Sequence, residues 1–251
     1  MATTTKYCAV PQGKVYIAAR DAAGKTSGYV WLGDTDGFTI NTSQQYLDWY
    51  ESFSGQRSLV GHLPTQSDYT AEVSILNIDG ENLARAFYGT STTVASASVV
   101  GEAITAYNGQ MSPLKYPGVS SVVVKKGATT LVAGTDYTVD AENGTITILA
   151  GSTQVAVGAG VPLTVDYSHA GVASRMKLMT QGVKDYSLRF EGKSKFDDLV
   201  QIAEIHRINL DMAATLQLIG TGVNKLVVKG KLLPAAEQPV GESQYFTYVQ
   251  K

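Results

Sequence analysis

Charge is scarce in this chain. Only 17% of its 251 residues are Asp, Glu, Lys or Arg, and the formal net charge is −2. A monomer that keeps its surface in water usually carries about 25–35% charged residues there. Two readings follow: an all-β domain surfaced with Thr, Ser and Gly, or a surface largely covered by further copies of the same chain. Near-neutrality also argues against a nucleic-acid reader, which needs a basic patch to neutralise phosphates. The longest basic run is Lys125-Lys126, with Lys193 and Lys195 as a second weak pair. Cysteine is almost absent: Cys8 alone excludes an intrachain disulfide and a thiolate metal cluster. Uncharged apolar runs are too short to span a bilayer. Met1-Ala2-Thr3-Thr4-Thr5 lacks the charged and apolar regions of a secretion signal. Cytoplasm-like conditions and no membrane partner are the expectation.

What is present is β-structure. Hydrophobic residues make up 44%, enough for one large or two modest cores. Short runs of β-branched and aromatic residues, broken by Gly, Asp and Asn, read as strands and tight turns. Residues 14–18 are the first candidate strand. Residues 29–32 and 38–41 read as a hairpin around Gly33-Asp34-Thr35-Asp36-Gly37. Over residues 70–78, Ala71, Val73 and Ile75 alternate with Thr70, Glu72 and Ser74, the period of a half-buried strand. One helix is expected over residues 80–88, with Asp79 as N-cap, Ile78 and Leu83 as a staple and Gly89 as the stop.

The texture then changes. Residues 90–100 are almost all Thr, Ser, Ala and Val and read as a linker. Strands are expected at 121–126, 137–139, 145–149 and 162–167, with Asn143-Gly144 in a hairpin turn. This spacing predicts a small Ig-like β-sandwich at residues 95–173, inserted between a first part at 1–94 and a second at 174–251. Strand patterning resumes at 184–190, where Tyr186, Leu188 and Phe190 alternate with Asp185, Ser187 and Arg189. Residues 199–210 fit either a helix or a strand. Residues 216–219 and 225–229 read as a hairpin across Gly220-Thr221-Gly222, and 245–249 as a last strand.

Motifs for chemistry fail on spacing. A phosphate loop needs a glycine five residues before its Gly-Lys-Ser/Thr, and Gly24-Lys25-Thr26 and Gly192-Lys193-Ser194 have Ala19 and Ser187 there. Asp34-Thr35-Asp36-Gly37 opens like a calcium loop, but the sixth and twelfth positions hold Thr39 and Gln45. His62, His169 and His206 stand far apart with no zinc spacing, and there is no Gly-x-Ser-x-Gly elbow. No catalytic, cofactor or metal residue is assigned.

The informative segment is Tyr46-Leu47-Asp48-Trp49-Tyr50-Glu51-Ser52-Phe53. Such aromatic density suits a sugar-stacking platform, a subunit contact, or a loop folded onto its own core. The enrichment of Tyr and Trp at interface hot spots favours the contact. Candidate interface residues are Tyr46, Trp49, Tyr50, Phe53 and Arg57, with Tyr245, Phe246 and Tyr248 near the C-terminus.

The order of segments resembles a known family. Lys14-Val15-Tyr16-Ile17, then Leu32-Gly33, a Gly-Phe-Thr-Ile strand, a long polar-aromatic loop and Glu81-Asn82-Leu83-Ala84-Arg85-Ala86-Phe87-Tyr88-Gly89 are similar to the major tail tube proteins of long-tailed, siphophage-type bacteriophages. Leu188-Arg189-Phe190-Glu191-Gly192, Ile205-His206-Arg207-Ile208 and Val228-Lys229-Gly230-Lys231-Leu232-Leu233 resemble that family's later strands. The resemblance implies a mainly β tail-tube sandwich or barrel with one short α-helix, carrying the inserted module. It makes residues 199–210 a strand. It implies six-membered rings that stack into a virion tail tube assembled in host cytoplasm, with DNA passing through the lumen without specific binding. Tape measure, tail terminator and distal tail proteins would be partners. The competing reading is a two-module carbohydrate-binding or adhesin-like protein; both tryptophans, Trp31 and Trp49, lie outside the insertion, which weakens it.

Overall fold

The computed structural model describes residues 11–195 and 198–251. In chain order its elements are β1 (Pro11–Ala19), β2 (Val30–Trp31), β3 (Thr35–Tyr50), β4 (Leu59–Ile75), α1 (Gly80–Ala86), β5 (Thr90–Val94), β6 (Ala97–Ala106), β7 (Met111–Pro113), β8 (Val119–Lys126), β9 (Thr129–Thr130), β10 (Tyr137–Asp140), β11 (Thr145–Ile148), β12 (Val161–His169), β13 (Val172–Lys177), β14 (Asp185–Ser194), β15 (Val200–Leu210), β16 (Leu226–Leu232) and β17 (Phe246–Gln250). The protein is mainly β with one short helix. Its chain divides into two compact units, residues 1–90 with 176–251, and residues 91–175. These boundaries differ by a few residues from the expected 94/95 and 173/174. The reason is that β5 leaves the first unit to pair with β13. The stretch expected to be a linker is therefore β5 and the start of β6.

The first unit is an eight-stranded antiparallel sheet in the order β2-β1-β14-β15-β16-β4-β3, with β17 joined to β15 beside β16. Alternating burial builds much of it: Val15 and Ile17 on β1, Ala71, Val73 and Ile75 on β4, and Leu226, Val228 and Leu232 on β16 all turn inward. Val200–Leu210 is a strand, because Ile205 and Ile208 complete this core. Helix α1 adds Leu83, Ala86 and Phe87 to the same cluster. Asp79 caps it by accepting from the Asn82 amide at 2.8 Å.

Two pairings differ from expectation. Val30–Trp31 does not join β3 in a hairpin; it pairs with β1, Tyr16 opposite Trp31 and Ile17 opposite Val30. Yet Leu32, Gly33 and Asp34 suffice to connect β2 to β3, at opposite ends of the strand order. The sheet must therefore curl until its two edges approach. Residues 216–219 form no strand, and the whole of 211–225 is an irregular connection. Leu226 follows it directly into register with Ile75 of β4.

The second unit holds two sheets, β10-β11-β7 and β6-β12-β8-β9, around one apolar cluster that includes Val124, Tyr137, Ile146, Ile148, Leu163 and Val165. Asp140 pairs with Thr145 across a tight turn whose Gly144 has φ of 66°, a conformation that favours glycine. A bulge in β6 opposite Val165 and Tyr167 is held by Asp166, which accepts from the Gly101 amide at 2.7 Å and from Lys125 Nζ at 2.6 Å.

Candidate functional site: a projecting arm and an open seam

The aromatic segment expected as a long loop is instead a β-hairpin. Strands β3 and β4 stay paired from Thr35 and Ile75 out to Tyr50 and Leu59. Strand β16 covers β4 only between Thr70 and Ile75. Beyond that point both edges of the ribbon are unpaired among the described residues. Ten residue steps from Tyr69 to Leu59 carry the arm roughly 30 Å past the sheet. Gly55 and Arg57, both with positive φ, turn the chain at the tip, where the Glu51 amide donates to the Ser58 carbonyl at 3.0 Å.

Cross-strand partners share a face. On one face Asp48 opposes His62, the two meeting at 2.5 Å, and the Tyr46 ring stacks on His62 with centroids 4.1 Å apart. On the other, Leu47 opposes Leu63 and Trp49 opposes Gly61. The Trp49 indole lies across Gly61 so closely that an added Cβ would stand 2.1 Å from the ring. Tyr50, Leu59 and Val60 follow, half exposed, and Phe53 at the tip is 89% exposed. A lone two-stranded ribbon is marginal in water. One with apolar side chains on display and two bare edges gains most from a protein partner.

The second feature is the seam where the curled sheet fails to close. Residues 11–14 of β1 and all of β3 present unpaired edges among the described residues. A cleft of about 790 Å³ separates them, with Gly13 and Val15 on one lip, Gly37 and Phe38 on the other, and Gln201 and Tyr248 between. Gln201 is 2% exposed, and its Nε2 has no hydrogen-bond partner among the described residues. An unmade buried hydrogen bond is costly, and an acceptor brought into the cleft would remove that cost.

The structure gathers five of the eight candidate residues on the arm: Tyr46, Trp49, Tyr50, Phe53 and Arg57. The other three divide. Tyr245 and Phe246 are half buried against the unit's own core, Tyr245 with its ring centroid 4.7 Å from that of Tyr69. Tyr248, on the same short strand, lines the cleft. Leu47, Leu59, Val60 and Leu63 also belong to the arm; the informative segment includes Leu47, but none of the four is among the candidate contact residues, and neither edge of the seam is expected from the sequence. The only trace of the former in the sequence is their spacing opposite the aromatic run. Trp31 is half exposed on β2 beside Lys14, whose Nζ sits 5.1 Å from the ring, and is not part of the arm.

Elsewhere, the Arg20 side chain, 4% exposed, reaches the His206 carbonyl, Glu237 and, at 3.2 Å, Ser187 Oγ, which pins the segment after β16 to the sheet. Tyr29 donates to Glu204 at 3.1 Å, and its phenol is pushed up to about 12, by burial first and then by that carboxylate. Among the described residues no three His, Cys, Asp or Glu are grouped to hold a metal ion. None of the described helices is long and apolar enough to cross a membrane.

One family model matches almost the whole chain, residues 9–249, and its description is Protein of unknown function UCP028589. The chain belongs to this family. The second unit, the arm and the seam fall within the matched span, which covers all but the ends of the first unit. No curated protein matches the chain.

Proposed function

We propose that the protein is a structural subunit that assembles with copies of itself into rings, and that these stack as the tube of a bacteriophage tail. The observation that carries the self-assembly is the arm, a ribbon of roughly 30 Å with two bare edges and exposed aromatic side chains. The open seam supports lateral association. Two unpaired sheet edges on one subunit suit edge-to-edge joining with neighbours on either side, which satisfies backbone amides that a monomer leaves bare. A tube follows if closed rings then repeat along an axis. The low charge of the chain suits a wall that DNA slides past without being gripped.

The test is electron microscopy and analytical ultracentrifugation of concentrated protein. Rings of six or tubes with a regular axial repeat are the expected outcome. A strictly monomeric species across the concentration range overturns the proposal.

A further inference from the structure

The inserted unit carries a cation that its own fold leaves unsatisfied. Arg20, Arg85, Arg175, Arg189 and Arg207 are the partly buried arginines among the described residues. Four of them hold carboxylates: Arg20 meets Glu237, Arg85 meets Glu81, Arg189 meets Glu191 and Glu204, and Arg207 meets Asp185. Arg175, on β13, forms no ion pair among the described residues, and its guanidinium finds no acceptor there. Its Cζ lies instead 5.5 Å from the centroid of the Tyr116 ring, and Lys115 Nζ, also without an ion pair, lies 5.4 Å from the same centroid. The ring is a fixed platform. His169, 5% exposed, stacks on it with centroids 4.1 Å apart, and its Nδ1 donates to the Ala170 carbonyl at 2.7 Å. That takes one face of Tyr116 and leaves the other to the cations. Glu102 does not serve them: one of its oxygens accepts from the Lys115 amide at 2.8 Å and the other from the Tyr167 hydroxyl. All these residues belong to the 91–175 unit.

We propose that Arg175 and Lys115, set against Tyr116, form a binding site for a phosphate group. Two unpaired cations beside one ring repel each other, and an oxyanion between them turns that repulsion into attraction. A guanidinium that lies on an aromatic face keeps the N–H fork at its edge free, and the fork matches two phosphate oxygens. The ammonium adds a point charge. Two positive charges suit a phosphate, close to a dianion near neutral pH, better than a single carboxylate. A nucleic-acid backbone is a poorer fit, because it needs a basic stripe to follow. The other two lysines of the unit are engaged, Lys125 with Asp166 and Lys126 with the Gln154 carbonyl. The site gives the inserted unit a ligand of its own and does not depend on self-assembly.

Phosphorus NMR on the full chain tests this, with inorganic phosphate and glycerol phosphate as probes and the ionic strength held constant with chloride. Saturable broadening of the probe signal is expected. Arg175→Gln should weaken it about tenfold or more, the loss of a charge-assisted bidentate contact. Arg175→Lys should recover part of that loss, since it restores the charge but not the fork. Lys115→Gln, at an exposed position, should weaken binding too and stands as the independent check if Arg175→Gln perturbs the fold by circular dichroism. Binding of inorganic phosphate alone upholds the site and assigns it to the free ion; binding of both probes extends it to phosphate esters carried on a larger molecule. Titrations that are the same in the unsubstituted chain and both glutamine variants overturn the proposal. So does the absence of saturation with either probe.

Discussion

Trp49 lies flat on Gly61 of the opposite strand, and the two residues fix each other's identity. With a side chain at position 61, the indole would have to lift, since a Cβ there would stand 2.1 Å from Cζ2. Gly61→Ala is therefore expected to expose Trp49 and lower assembly without changing the rest of the unit. Trp49→Ala with Phe53→Ala should do the same by removing contact area. The check pairs tryptophan fluorescence and circular dichroism with sedimentation. Unchanged oligomers in both variants would remove the arm from the assembly contact.

Two apolar clusters share no residue, one in each unit, and this separates folding from assembly. Ile205 and Ile146 are each fully buried, one per cluster. Truncating either to alanine is expected to cost about 2–5 kcal/mol, the transfer loss plus the cavity left behind. Calorimetry should show Ile146→Ala lowering the transition of the 91–175 unit alone, with assembly kept. Ile205→Ala should lower the other transition and assembly with it. A single transition shifted equally by both variants would contradict independent units.

The body of the fold was legible and the arm was not, for one physical reason. Val15 and Ile17, or Ala71, Val73 and Ile75, alternate because one face meets a core, and that alternation is written in the sequence. From Thr42 to Gln45 and from Thr65 to Asp68 both faces of the ribbon meet water, so no period marks them as strands. Only cross-strand pairing holds them, and pairing is a two-segment property. The misplaced partner of Val30–Trp31 has the same origin. Sheet closure brings β2 and β3 close in sequence and space, while the hydrogen bonds go to β1. Leu216 to Ile219 shows the converse, since a strand-like apolar run there stays irregular. On the candidate site, aromatic density located the arm, and nothing in composition pointed to the seam.

In the inserted unit, Asp166 is the group whose ionisation matters to the β6 bulge. Its carboxyl is held below the usual range, first by the Lys125 hydrogen bond and then by the Gly101 amide. A depressed folded pKa stabilises the fold above the unfolded value of about 3.9, and that contribution is lost as pH falls through the folded value. Thermal scans should show the 91–175 transition dropping below about pH 4. Asp166→Asn should start lower near neutral pH and fall less steeply on acidification. An identical acid limb in the variant would show that the bulge does not depend on this charge.

The inserted unit can be removed on geometric grounds. Ser91 and Ser174, on the paired strands β5 and β13, have hydroxyls 2.9 Å apart, so the chain leaves and re-enters the first unit through adjacent strands. Every strand of the arm and both lips of the seam lie outside residues 91–175. Bridging the two strands with a short Gly-Ser turn in place of residues 95–171 should therefore leave the eight-stranded sheet folded and the assembly intact, since a short loop closes at little entropic cost. Circular dichroism and electron microscopy of this variant decide it. Rings of the same subunit number and lower total mass are the expected result. Loss of rings from a variant that still folds would assign the inserted unit to the subunit contact itself, and the arm and seam would no longer suffice.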